Sequence, residues 1–227
     1  MESILVIAAH PDDEVLGCGG TIAKFSNFGH EVNVAFLSDG EKSRNLLSKK
    51  IEDKKISIRK TSAIKASKIL RINKPTFLTY PDNQLDIIPL LKVIQSIEKL
   101  IKKYKPGIVF THHGGDLNID HVIANKAVIT ACRPEYTSSV NKIFFFEVPS
   151  STEWNFNHNI ESFRPNWFEN IDEYLKLKMQ ALDCYNDEIR EWPHPRSVKG
   201  VEVLSQYRGA TVGYNAAESF VLGFSKQ

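Results

Sequence analysis

The segment AHPDDE, residues 9–14, sets one imidazole, His10, beside the carboxylates of Asp12, Asp13 and Glu14, directly after an apolar run. Imidazole and carboxylate are common zinc ligands, and a catalytic zinc site keeps one position open for water. His10 and Asp13 can both point inward from one tight turn. Asp12 lies between them and need not bind the metal. It can instead take a proton from a water whose pKa the metal lowers to about 7. A third ligand has to come from another strand end. The segment THHGGDLNIDHVIANKA, residues 111–127, offers His121 at the start of a helix, and Asp120 before it can orient an imidazole. Alone, Asp12, Asp13 and Glu14 would sooner be read as favouring a helix N-terminus through its dipole, and His121 as an ordinary helix-start residue. Their joint occurrence after two apolar runs points to a metal site.

These residues need a frame that brings distant segments together. Residues 4–9 form a continuous apolar run, 31–37 alternate and are rich in Val and Phe, and 76–80, 107–110 and 142–148 are further short strand candidates. Between them, residues 15–28, 51–70, 87–104 and 122–132 carry helical spacing. Strand–helix alternation predicts a mostly parallel sheet with helices on both faces, and ligands in such sheets bind beyond the carboxyl ends of the strands. His10, Asp12 and Asp13 follow the first strand, Ser38 and Asp39 the second, and Asp82 the third. His112, His113, Asp116, Asp120 and His121 follow the fourth, so one rim receives them all. Residues 142–148 read as the final strand. After Pro149 come Trp154, Trp167 and Trp192, several Asn, and one clear helix over 173–185, which reads as a C-terminal flank or lid over 150–227 on a single domain spanning 1–227. The glycines of LGCGGT do not fit the GxGxxG nucleotide loop, because the third comes one position early; close helix–strand packing is the expected role.

Bulk composition narrows the function. The 227 residues are 42% hydrophobic, enough for one well-filled core, and carry a formal net charge of +2 with both signs interspersed. Nucleic acid is therefore not expected as a partner. Cys18, Cys132 and Cys184 form no CxxC pair and read as reduced thiols. The opening residues have no basic n-region, and their apolar stretch is too short for a signal peptide or membrane span. The expectation is a cytoplasmic protein, with exposed tail tryptophans leaving a homo-oligomer open.

Taken together, AHPDDE with LGCGGT, GDLNIDHVIANKAV and FLTYPDNQL resemble the signature segments of the LmbE-like, or PIG-L, deacetylase family over residues 4–132. The resemblance implies a Rossmann-like three-layer α/β/α fold and a Zn2+ cofactor held by His10, Asp13 and His121. It implies Asp12 as general base and Arg59 as a substrate-binding arginine, unless Arg59 is only a solvated helix charge. Several family members carry a histidine three residues before the last ligand; here that residue is Asn118, whose amide can still donate a hydrogen bond but also suits a helix N-cap. The helix glutamate expected after the arginine is missing, with Ser62 near its place.

EWPHPRS, residues 191–197, and RGATVGYNAAESF, residues 208–220, resemble the C-terminal region of one branch. His194, between two prolines, is expected to reach the site and assist the oxyanion or the leaving amine, alongside Asp12 and Asp120. Asp82, His112, His113, Arg44, Arg59, Arg196 and Arg208 are expected to line a polar pocket. The arginines would suit a phosphate or nucleotide-diphosphate group, or else pair with acids such as Asp187 and Glu188. The expected reaction is hydrolysis of the N-acetyl group of a small GlcNAc-like amino sugar, giving acetate and a free amine. The alternatives are a zinc hydrolase of another small amide, and a non-catalytic nucleotide-sugar-binding module, against which the complete AHPDDE set argues.

Overall fold

In the computed structural model, which describes residues 1–40, 49–134, 138–157 and 161–227, the apolar runs become a seven-stranded sheet. Arg44 lies outside the described residues. The strands are β1 (Ser3–Ala8), β2 (Glu31–Ser38), β3 (Thr76–Tyr80), β4 (Ile108–His112), β5 (Lys142–Phe146), β6 (Trp167–Asn170) and β7 (Ala217–Ser225). The helices are α1 (Asp13–Asn27), α2 (Lys49–Ile69), α3 (Leu90–Tyr104), α4 (Ile119–Ala131), α5 (Leu175–Leu182) and α6 (Val198–Ala210). The strand order is β3-β2-β1-β4-β5-β7-β6. The first five strands run parallel, and β7 and β6 are antiparallel.

Alternation along β1 divides the core between two layers. Ile4, Val6 and Ala8 pack into the cluster with α1, α2 and α5, while Leu5 and Ile7 pack into the cluster with α3 and α4. A strand covered on both faces needs apolar residues throughout, which is why β1 reads SILVIA. Val6 pairs with Val34 of β2 on one side and Phe110 of β4 on the other. The chain winds outward from β1 through β2 to β3, then returns to start again at β4. The crevice between the carboxyl ends of β1 and β4 is thus the topological switch point, where such folds bind ligands.

The glycines after AHPDDE serve close packing. A Cβ at Gly17 would lie 2.3 Å from the Phe146 ring, and one at Gly20 would lie 2.8 Å from Ile171. α1 is kinked at Cys18, whose φ of −148° leaves the helical region. The kink is bridged by a buried ion pair. Lys178 Nζ donates to the carbonyl of Leu16 on one side of it, and Glu218 accepts from the backbone amides of Gly20 and Thr21 on the other. Lys178 and Glu218 are joined at 2.6 Å.

Two expectations need correction. β5 is not the final strand: β6 and β7 follow and complete the sheet edge. β6 has four residues, too few for a periodic signal, and β7 begins inside the segment RGATVGYNAAESF, which carries a family resemblance but no strand pattern. The helix expected over 87–104 splits into a 3-10 turn, Leu85–Ile87, and α3, because Pro89 lacks the amide to continue through the junction. α6 went unread because Gly200 and Gly209 dilute its helical pattern. The stretch after Pro149, expected as flank or lid, contributes β6, β7, α5 and α6. No helix among the described residues is long and apolar enough to cross a membrane.

Candidate metal centre and active-site cleft

The loop after β1 and the first turn of α4 meet at the switch point. Ligand atoms of His10, Asp13 and His121 all lie within 4.8 Å of one another, and all three residues are buried. Asp13 Oδ2 stands 3.3 Å from His10 Nδ1 and 3.3 Å from His121 Nε2, and it also accepts the backbone amide of His10 at 2.8 Å. Asn118 caps α4 by accepting the amide of Asp120, which starts the helix early enough to put His121 in its first turn.

Each imidazole is steered from its far nitrogen. His10 Nε2 lies 3.0 Å from Asp120 Oδ2 and 3.1 Å from Asp82 Oδ1. Asp120 is fixed in turn by the amides of Asn83 and Leu85. On the other imidazole, His121 Nδ1 lies 3.1 Å from Asp116 Oδ1, and Asp116 accepts from the hydroxyls of Ser151 and Thr152 and the amide of Asn118. With each far nitrogen facing a carboxylate, His10 Nδ1 and His121 Nε2 are the ones turned toward Asp13, and carboxylates so placed orient a metal-ligating histidine.

The electrostatics suit a cation. Burial would lower the His121 imidazole, but Asp13 and Asp116 outweigh it and raise it to about 9. Burial would likewise lower His10, and its hydrogen bonds to Asp120, Asp13 and Asp82 raise it. Burial would raise Asp116, yet His121 and the hydroxyl donors bring it down to about 2. Both ring nitrogens of His121 and Asp13 Oδ1 are buried and make no hydrogen bond, Nδ1 having only the charge contact with Asp116. Two imidazoles and a carboxylate with orphaned donor atoms, in a field this negative, fit a divalent ion with an open position. A second group, His10, Asp82 and Asp120, also meets within 4.8 Å. There both Asp120 oxygens already accept backbone amides, so we read it as support for His10.

Asp12 sits beside this set without joining it. It is 1% exposed, and neither carboxylate oxygen makes a hydrogen bond. Burial pushes its carboxyl up to about 6, against the pull of Arg59 and Arg196. Those guanidinium groups approach Asp12 Oδ2 at 3.4 and 3.5 Å. Its backbone has φ 119°, ψ −30°, a conformation strained for any side chain.

Arg59 is turned inward. It donates to the carbonyls of Pro11 and Gly40 and pairs with Glu188 at 3.0 Å. It does not line the neighbouring cleft, a space of about 280 Å³ bounded by residues including Asn118, Ser151, Glu188, Arg190, His194 and Arg196. His194 is an exposed member of that wall, its Nδ1 accepting the amide of Arg196 at 3.1 Å. Asp82 is buried at His10 and does not face the cleft.

The remaining candidates go elsewhere. His112 is fully buried, its Nε2 accepts the amide of Ala9, and its ring stacks on His121 at 3.9 Å between centroids. His113 contacts the carbonyl of Glu161, and Arg208 makes a two-pronged pair with Glu147. Sequence reasoning gave no role to Tyr185, Ser151 or Thr152. Their only signal was position in the tail, and hydroxyl groups there carry no spacing rule that would single them out.

Residues 5–132 match the PIG-L family, described as GlcNAc-PI de-N-acetylase. Among curated relatives, the uncharacterized deacetylase YaiS of Escherichia coli K12 is 28% identical over 80% of this chain and 89% of its own. Diacetylchitobiose deacetylase of Thermococcus kodakarensis is 25% identical over 96% of this chain and 82% of its own. Among solved structures, the 4-carboxy-2-hydroxymuconate hydratase GalB of Pseudomonas putida KT2440 superposes with a TM-score of 0.76 at 22% identity, covering 100% of this chain and 98% of that one. Two of these names are deacetylases and one is a hydratase, so the fold by itself does not choose the reaction.

Proposed function

The chain belongs to the PIG-L family, and from that premise we propose that it is a metal-dependent N-deacetylase that hydrolyses the acetamido group of an N-acetylated amino sugar. His10, Asp13 and His121 would hold the ion, and two nitrogens with one carboxylate oxygen favour Zn2+. When bound, such an ion supplies Lewis-acid polarisation of the amide carbonyl and acidifies water at its open face. The deacetylase names of the relatives support this chemistry over hydration.

The chain's own groups divide the remaining work. Asp12 takes the proton of the attacking water, which is what a buried carboxylate with two unbonded oxygens and a carboxyl raised to about 6 is suited to do. Asn118 has committed its oxygen to the helix cap, which leaves its amide nitrogen to donate to the developing oxyanion. Asp120 and Asp82 hold His10, and Arg59 holds Asp12, so these three position rather than touch substrate. His194, on the cleft wall, donates a hydrogen bond to the oxyanion, and the protonated Asp12 passes its proton to the departing amine. Acetate and the free amine result. The cleft volume suits a single sugar ring, and Arg190 and Arg196 on its wall suit an anionic substituent such as a phosphate.

The buried Asp12 carboxylate, standing beside the three-residue donor set with no hydrogen bond of its own, carries this reading. Its test is Asp12→Asn, assayed for acetate release from N-acetylhexosamines, free and nucleotide-linked, with bound metal measured in parallel. Turnover should fall roughly 10²–10⁴-fold with metal content intact. Undiminished acetate release would remove Asp12 from the reaction.

A further inference from the structure

Asp12 has to be held in a strained conformation. At φ 119° and ψ −30° an L-residue pays in backbone energy, and such a posture persists only where its surroundings over-determine it. Two backbone groups define it. The Asp12 carbonyl accepts the amides of Val15 and Leu16 and opens α1. The Asp12 amide donates to Glu14 Oε2 at 3.0 Å. Glu14 is 3% exposed and cannot turn to solvent. Its second oxygen, Oε1, accepts the hydroxyl of Tyr185 at 2.6 Å. Tyr185 is 2% exposed and belongs to the 3-10 turn Asp183–Tyr185 that follows α5.

We propose that Tyr185 is a positioning residue for Asp12, acting through Glu14: its hydroxyl fixes the rotamer of the carboxylate that pins the Asp12 amide. The inference deepens the deacetylase reading and rests on Asp12 serving as the base. A second route runs through the same turn. The Tyr185 carbonyl accepts the amide of Glu188, Glu188 pairs with Arg59, and Arg59 reaches Asp12 Oδ2 and the Pro11 carbonyl. That route uses Tyr185 backbone only. Tyr185→Phe therefore removes the hydroxyl route alone, in nearly the same volume. It leaves Glu14 Oε1 buried without its donor, and the lost bond is one to a buried acid.

The experiment compares Tyr185→Phe, Glu14→Gln and the double variant in the metal-loaded protein. Hydrogen exchange at the Asp12 amide, bound metal per chain, and kcat and KM for acetate release are measured. Tyr185→Phe should speed Asp12 amide exchange about tenfold and lower kcat about tenfold, with KM and metal content unchanged. The double variant should be no worse than Glu14→Gln alone, since both changes break one chain of contacts. Unchanged exchange at Asp12 in Tyr185→Phe, or losses that add independently in the double variant, would overturn the proposal. A wild-type protein that releases no acetate, but whose Asp12 exchange responds as stated, would retire the deacetylase reading and leave the positioning role standing.

Discussion

The two histidines of the proposed metal site are supported from different parts of the chain. His10 is held by Asp82 and Asp120, both inside the region that matches the family, and Asp120 is fixed there by the amides of Asn83 and Leu85. His121 is held by Asp116, and Asp116 depends on Ser151 and Thr152 beyond that region. Asp12 is likewise flanked by Arg196 and reached through Glu14 by Tyr185. The donor atoms come from short motifs at two strand ends, and their orientation comes partly from chain more than 30 residues away. The sequence separation is 35 between Asp116 and Ser151 and 171 between Glu14 and Tyr185. A motif can thus state what a site contains, while remote loops decide how its groups are aimed.

Removing a donor should have the largest effect. His121→Ala is expected to abolish stable metal binding and bring acetate release to background, read by metal analysis and the same assay. Removing a support should cost less and separate the two sides. Asp120→Asn and Asp116→Asn should each weaken metal affinity about 10–100-fold, measured by chelator competition. The paired change Ser151→Ala with Thr152→Val should reproduce part of the Asp116→Asn loss and leave the response to Asp120→Asn unaltered. If the hydroxyl variants bind metal like the wild type, the tail does not steer His121, and the asymmetry between the histidines disappears.

This asymmetry also marks how far the sequence can be read. The parallel half of the sheet was legible because β1, β2 and β4 are apolar runs ended by polar clusters. His10, Asp13 and His121 could be proposed as a set because each follows such a run. Local rules covered the Asn118 cap as well. The antiparallel edge was not legible, since β6 is four residues long and β7 mixes burial with exposure. Arg59 could not be assigned from its helix position, because its partners Pro11, Gly40 and Glu188 arrive from three separate segments. Tyr185 met the same obstacle: a hydroxyl donating across 171 positions leaves no periodic trace.

The tail also braces the first helix, so damage there can be mistaken for damage to the site. Lys178→Met leaves Glu218 buried without its charge partner and frees the Leu16 carbonyl at the α1 kink. Breaking one side of a buried pair costs about 3–5 kcal/mol. Thermal or denaturant unfolding should report that loss, with metal bound per folded chain unchanged. A loss of metal in the still-folded variant would mean that the kink, and not only the ligand supports, sets the position of Asp13.

The smallest expected effect concerns His194. It lines the cleft but is exposed, and its Nδ1 is already an acceptor for the Arg196 amide. That bond places the ring hydrogen on Nε2, the nitrogen that can donate a hydrogen bond to the developing oxyanion. Exposure means that water can replace it, so the loss on His194→Ala should be modest, about tenfold in kcat with KM unchanged. Metal content should stay at the wild-type value. If kcat holds and KM rises instead, His194 binds sugar as a wall residue and does not touch the oxyanion.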